Sequence, residues 1–442
     1  VYESLHDVSV AVKDTAAWTL GRICEFAADA ITPEVQLGPL IQALLAGLQE
    51  QPRIVTHCCW ALINLADNKG SRAHFDEVSP MTTALSPFFE TMVQQLLLAT
   101  DRPNNESNSR TSAYEALANL IANAAGDCLQ QASSVLVHVI ERQEQLNAMV
   151  AQLVGLDDRN NWAELQSNLC SVMIAAVRHL GAGIAPIGDR LMTSLLTLIQ
   201  NSAKQPTVLE DAFVAVGTVI VALEGDFAKY LDAFLPFLVE GLRHHEEHQL
   251  CTISVGIVGD LCRSLGERAT PYSETLVLAL FEDLQSPVLN RDVKPHILSC
   301  FGDVALAIGA AFEPYLPTAM AVLQQASMVQ NTPGSQDFEM GDYVNSLREG
   351  IAEAYVGIVS GFRASNKADV LAQYMEFAIT FIGLGARDSF ERDEALLRTT
   401  LGLLGDIASA FPSGPIMNEL QQPWVMDYIK LGRSRTNGSE TV

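Results

Sequence analysis

Residues 226–262, DFAKYLDAFLPFLVEGLRHHEEHQLCTISVGIVGDLC, carry two apolar patterns in succession. Phe227, Leu231, Phe234, Leu235 and Leu238 recur at helical spacing and mark one apolar face. The polar run RHHEEH follows as a turn. A second helix, built largely of small residues, is expected from about Gln249. The same order recurs at 311–324 (AFEPYLPTAMAVLQ) and 369–382 (DVLAQYMEFAITFI). Short alternating runs joined by Asn-Gly or Asp-Gly turns are not found. The pattern predicts an all-α chain.

A phrase recurs within the second helices: small residues, then Gly, often Asp, then Ile, Val or Leu. It reads AAWTLGRIC at 16–24, AFVAVGTVIVAL at 212–223, SVGIVGDLCRSLG at 254–266, SCFGDVALAIG at 299–309, EAYVGIVSGF at 353–362 and TLGLLGDIASAF at 400–411. HCCWALINLAD at 57–67 is a relative without the Gly. The shared glycine falls at 217, 259, 302, 357 and 405, in steps of 42, 43, 55 and 48, and Trp18 and Trp60 are 42 apart. A period in the low forties is that of HEAT and armadillo units, in which two helices per repeat cannot bury both apolar faces alone and must stack on their neighbours. The expected fold is a right-handed α-α superhelix of HEAT repeats. It runs over 1–442 as a single continuous solenoid of about nine to ten helix pairs. Longer connections are expected at 101–109, 155–161 and 328–342, the last an acidic insertion that accounts for the step of 55. Residues 433–442 read as a polar C-terminal tail. Ala, Gly and Cys in the second helices would let neighbouring helices approach closely.

Composition narrows the function. Hydrophobic residues make up 48% of the 442, which excludes disorder along the whole chain. Acids outnumber bases 52 to 27, for a formal charge of −25. Such a surface repels phosphate backbones and suits a basic partner. The longest apolar run, Phe213 to Leu223, ends at Glu224, short of the roughly 18 to 20 residues of a membrane span, so no membrane insertion is expected. The chain opens VYESLHDVSV, with neither Met nor a signal peptide, as a piece cut from a longer protein would. Eight cysteines, none in a CxxC pair and most inside apolar helical stretches, read as reduced thiols of an intracellular protein.

Chemistry-bearing motifs are few. His244 and His248 are four apart, but His245 stands where a zinc protease needs Glu, and the cluster falls on an expected turn. GLGAR at 383–387 and GPI at 414–416 lack phosphate-loop spacing. No catalytic residue, metal or cofactor is expected. Asp260, Asp303 and Asp406 recur at one position of the repeat, which suits a long binding surface or bonds to the backbone of the neighbouring repeat. Trp18 and Trp60 stand at equivalent places on adjacent second helices, either as packing or as a platform for Arg and Lys.

KDTAAWTLGRICE (13–25), EQPRIVTHCCWALINLAD (50–67), TDRPNNESNSRTSAYEAL (100–117), EDAFVAVGTVIVALEGDFAKYLDAFLPFLVEGL (210–242), SVGIVGDLCRSLG (254–266), VKPHILSCFGDVALAIGAAFEPYL (293–316) and GRSRTN (432–437) closely resemble the importin-β (karyopherin-β) family of nuclear import receptors. The match is colinear over almost the whole chain and falls on the C-terminal half of a solenoid of about nineteen HEAT repeats. The resemblance implies a non-enzymatic receptor that wraps the basic importin-β-binding helix of importin-α and carries cargo through the nuclear pore. It also implies a second, weaker site for FG-repeat nucleoporins, with the main surface for the GTPase Ran lying upstream. Cytoplasm, nucleus and nuclear envelope are the implied locations. Trp18 and Trp60 match the family tryptophans that meet basic residues. Where family members continue with a further Trp-bearing helix, this chain reads GRSRTNGSETV, and Trp424 lies upstream of that point.

The expectation is therefore a concave face of second helices. Repeat position places Glu25, Asp67, Glu115, Asp211, Asp260, Asp303, Glu349, Glu353 and Asp406 on that face beside the two tryptophans. The alternative is a HEAT-repeat scaffold subunit that organises an enzyme complex through its turns.

Overall fold

The computed structural model describes residues 1–71, 80–102, 106–330, 338–387 and 394–435. These residues form helices, with no strand among them. They fall into two compact units, Val1–Leu223 and Glu224–Val442.

The first unit starts with α1 (Val10–Phe26). Four pairs follow: α2 (Gly38–Gly47) with α3 (Pro52–Lys69), α4 (Phe89–Thr100) with α5 (Ser107–Ala122), α6 (Leu129–Met149) with α7 (Leu156–Leu180), and α8 (Gly188–Asn201) with α9 (Pro206–Leu223). The second unit pairs α10 (Ala228–Leu242) with α11 (His248–Leu265), α12 (Thr270–Gln285) with α13 (Lys294–Ile308), α14 (Leu316–Ser327) with α15 (Phe338–Ala364) and α16 (Met375–Arg387) with α17 (Glu394–Ala410). It ends on α18 (Pro415–Leu420) and α19 (Pro423–Arg435). Pro52 and Pro206 open their helices, where a missing N–H is harmless and the ring presets φ.

First helices bury large residues. On and before α10, Phe227, Leu231, Phe234 and Leu238 are buried as the periodicity predicts, while Leu235 is half-buried. Each fully buried Phe contributes about 1.5–3 kcal/mol. Second helices instead pack closely on one another, α1 to α3 to α5 to α7 to α9 in the first unit and α11 to α13 to α15 to α17 in the second. The expected close approach is clearest at Gly302 and Gly357. A Cβ on Gly357 would collide with the Gly302 backbone, and one on Gly302 would meet the Glu353 carbonyl oxygen at 2.7 Å. Gly405, in the same slot of the phrase, has nothing within 4 Å.

Several expectations shift. The segment 155–161 is not a connection: Gly155 caps α7, its N–H donating to Asp158 (3.4 Å), so the helix begins at Leu156. Residues 338–342 of the insertion are the first turn of α15, and 331–337 lie outside the described residues, as do 103–105 of the first connection and 436–442 of the tail. Leu156–Asn201, Pro206–Leu242 and Arg291–Ser327 are long and apolar enough, on length and mean hydropathy, to match a membrane span, although no uninterrupted apolar run had reached one. Each of these stretches is two helices joined by a 3-10 turn rather than one straight helix. All eight cysteines are free and buried. Burial pushes the thiols of Cys24, Cys58, Cys251 and Cys262 up to about 12.

A second glycine signal went unread in the sequence. Seven residues after the repeated Gly259 and Gly302 stand Gly266 and Gly309, at φ 53° and 54°, where α11 and α13 end. Gly181 ends α7 in the same way, at φ 50°. After α9 the slot holds Glu224, a residue with a Cβ at φ 46°. An L side chain in left-handed backbone costs about 1–2 kcal/mol.

Gly357→Ala is expected to lower stability to denaturant by about 1–3 kcal/mol, the usual cost of overpacking. Gly405→Ala should leave it unchanged or raise it slightly. Equal midpoints for both variants would contradict the backbone contact. Glu224→Gly should raise the midpoint, by up to about 1 kcal/mol of relieved strain; a fall would show that the left-handed residue carries no cost.

Candidate functional site

The second-helix face of the first unit begins with two indoles in different environments. Trp18, on α1, is 50% exposed and no part of the core. Trp60, on α3, is half-buried, its ring lying over Gly21 of α1 so closely that a Cβ there would collide with it. Gly21 thus makes the berth for Trp60, while Trp18 stays available. On the same helix Arg22 pairs with Glu25 (2.9 Å) and lies over the exposed ring of Phe26, 4.2 Å from its centroid.

Several acids of this unit accept from neutral donors on a neighbouring second helix. Asp67 accepts from the side-chain amides of Asn119 (2.8 Å) and Asn123 (3.0 Å) on α5. Asp211, on α9, accepts from Ser167 on α7; burial pushes its carboxyl above the usual range, and the Ser167 bond pulls the other way. Glu115 is exposed on α5. Asn68 reaches the Cys24 carbonyl (3.0 Å), and Glu164 on α7 accepts from Ser107 and from Thr111 (3.1 Å) on α5. Amide and hydroxyl donors fill carboxylate lone pairs without cancelling charge.

The second unit uses arginine. Arg263, on α11, donates to Asp260 one turn back (2.8 Å) and to Asp303 on α13. Arg363, on α15, pairs with Asp406 on α17 (3.2 Å). Glu353 accepts from Ser299 on α13 (2.6 Å), and Glu349 lies one turn before it on α15, half-buried. Asp303 and Asp406 therefore bond side chains of adjacent helices rather than the backbone of a neighbouring repeat, while Asp260 bonds one turn along its own helix. Arg263 brings Asp260 and Asp303 together; Asp406 belongs to a separate pair.

Arg263, Arg363, Asn119 and Asn123 were missed in the sequence. Their signal was present: GDLCR and GIVSGFR each carry an arginine within six residues of the repeated glycine. The histidine cluster is not a single helical face. His244 and His245 lie in the turn and His248 opens α11. His245 Nε2 lies 2.9 Å from the fully buried Asp283 of α12. Burial raises the Asp283 carboxyl, with His245 opposing it. Among the described residues no group of three or more His, Cys, Asp or Glu is placed to hold a metal.

Comparison with known proteins points one way. A family profile described as importin subunit beta-1-like, TPR repeats, matches residues 39–433. Importin subunit beta-1 of Schizosaccharomyces pombe is 43% identical over 436 residues, covering 98% of this chain and 50% of that protein. A crystal structure of importin beta superposes with a TM-score of 0.93 at 38% identity, covering all of this chain and 50% of the other. A structure of Kap95 in complex with Nup1 gives 0.82 at 32%, again over all of this chain and 50% of that one. The chain spans about half the length of the relative it matches.

Gly21→Ala is expected to push the Trp60 ring off α1, lowering stability by about 1–3 kcal/mol and shifting tryptophan emission to the red. Unchanged stability and emission would show that the ring does not depend on that berth. Asp211 has a raised folded-state value, so the native protein holds that proton more tightly than the unfolded chain does. Stability falls as pH rises upward from the ordinary carboxylate range of about 4. Asp211→Asn should remove that slope, and its stability relative to the parent should grow with pH in denaturant titrations. Parallel pH profiles would contradict the assignment.

Proposed function

From the premise that the chain belongs to the importin subunit β-1 family, we propose that it is the part of a non-enzymatic nuclear transport receptor that takes a basic helix on its second-helix face. The proposed ligand is the importin-β-binding segment of importin-α. The reading treats 1–442 as one continuous run of helix pairs and places the protein's work in the cytoplasm, the nucleus and the pore between them.

One observation carries the reading. An exposed Trp18 stands on the helix where Trp60 is berthed over Gly21, and along the second helices Asp67 and Asp211 accept from amide and hydroxyl donors. An indole face attracts Arg and Lys through its quadrupole. Asp67, Asp211 and exposed Glu115 extend the attraction along the helices, with Glu25 joining them where a ligand cation replaces Arg22. Individually, exposed ion pairs contribute about 0.2–1 kcal/mol. Along one helical ligand, each pair formed raises the effective concentration of the next. On the second helices of the second unit, Glu349, Glu353, Asp260, Asp303 and Asp406 are the proposed ligand contacts.

The complex of its relative Kap95 with Nup1 supports a proposed second role in holding FG nucleoporins. The GTPase Ran is proposed as a partner mainly through sequence upstream of this half. The scaffold alternative has no observation of its own once the family is established.

Affinity for a basic helical peptide should fall steeply between low and physiological salt, because the exposed charges are screened beyond about 8 Å at 0.15 M. Equal affinity at both salts would remove the electrostatic part of the account. Trp18→Ala should weaken the peptide by about 1–2 kcal/mol with little change in stability, because its ring is exposed. Trp60→Ala should weaken binding and also lower stability. No loss of binding in either variant would return both rings to plain packing.

A further inference from the structure

The aspartates of the second unit are not open acceptors. Arg263 fills both Asp260 and Asp303, its own side chain staying 52% exposed. Gly259 makes the arrangement possible: a Cβ there would lie 2.6 Å from the Asp303 carboxylate and 3.2 Å from the Arg263 guanidinium. The three charged groups can therefore lie against α11. Arg363 and Asp406 repeat the device between α15 and α17. In the first unit Asp67 accepts from Asn119 and Asn123, and Asp211 from Ser167.

We propose that Arg263 is a built-in competitor for the second-helix face. It occupies Asp260 and Asp303 with a cation of the same chemistry as a ligand's side chain, so a ligand arginine or lysine engages them only by displacing it. The proposal rests on the reading of the chain as a receptor for a basic helix. A single incoming cation exchanges one exposed ion pair for another and gains almost nothing. A ligand that delivers several cations from one rigid helix gains from effective concentration and succeeds. Arg263 thereby discriminates between an ordered basic helix and scattered basic side chains.

The test uses the full chain and a synthetic Arg/Lys-rich helical peptide as probe, with affinity measured at low salt. Arg263→Gln should tighten the peptide about two- to thirtyfold, the range that two exposed ion pairs span. Arg243→Gln removes the same charge from the α10–α11 turn, where Arg243 pairs with Glu282 (2.8 Å). It should change affinity by less than about twofold, since only a screened long-range field is altered. Equal tightening in both variants, or none in Arg263→Gln, overturns the proposal. Removing Arg263 leaves two carboxylates facing each other, so a second readout uses the unaltered chain. The side-chain Nε–Hε resonance of Arg263 should shift on saturation with peptide, while that of Arg190, held by both oxygens of Glu144, stays in place. An unmoved Arg263 signal overturns the proposal as well. An unaltered chain that fails to bind the peptide at all counts against the receptor reading instead.

Discussion

Where Gly302 meets Gly357, α13 and α15 touch main chain to main chain, with no side chain between them. That close approach governs what else the second helices can do. No side chain fits at that point, and the large buried residues of the same two helices, Phe301 on α13 and Tyr355 and Phe362 on α15, stand at other positions. Polar groups beside the seam must find partners across it, because a buried polar atom without one costs about 1–3 kcal/mol. The outcome in each unit is a rank of inter-helix bonds: Asn119 and Asn123 to Asp67, Ser299 to Glu353, Arg263 to Asp303 and Arg363 to Asp406.

The acids of this face consequently have two roles. Several bridge neighbouring helices, and in the proposed reading they also form the charged surface that meets a ligand. The identity of the internal partner decides how much of that charge is left. A carboxylate held by an amide or hydroxyl still attracts a cation; one held by arginine presents a pair whose charges cancel. Asn119 meets Asp67, whereas Arg263 meets Asp303. The tryptophans divide in the same way. Trp60 contributes to packing and so holds a defined orientation over Gly21, while Trp18 is left half in solvent.

Much of this was legible in the sequence, because helical periodicity and small-residue phrases are local patterns. The 42- and 43-residue steps located the second helices, and RHHEEH fell on a turn as expected. Partnerships were not legible, because they depend on which residues face each other across a seam some 40 or 50 positions away. The pairing of Arg263 with Asp303 needs the helix rotation that Gly259 permits, and nothing in GDLCR states that rotation. The left-handed position that ends α7, α11 and α13 was written as glycine at 181, 266 and 309. After α9 it was masked at 224 by a glutamate that breaks the pattern. At 155–161 a run of polar residues resembled a loop until Asp158 proved to cap its own helix.

The central claim is that the second helices, not the first helices or the turns, receive a basic helix. Hydrogen exchange of the full chain, followed by mass spectrometry with and without a saturating basic helical peptide, tests it most directly. Protection concentrated in α1, α3 and α5 around Trp18 and Trp60 is the predicted result. Protection confined to α2, α4 and α6, or to the turns between paired helices, would contradict it.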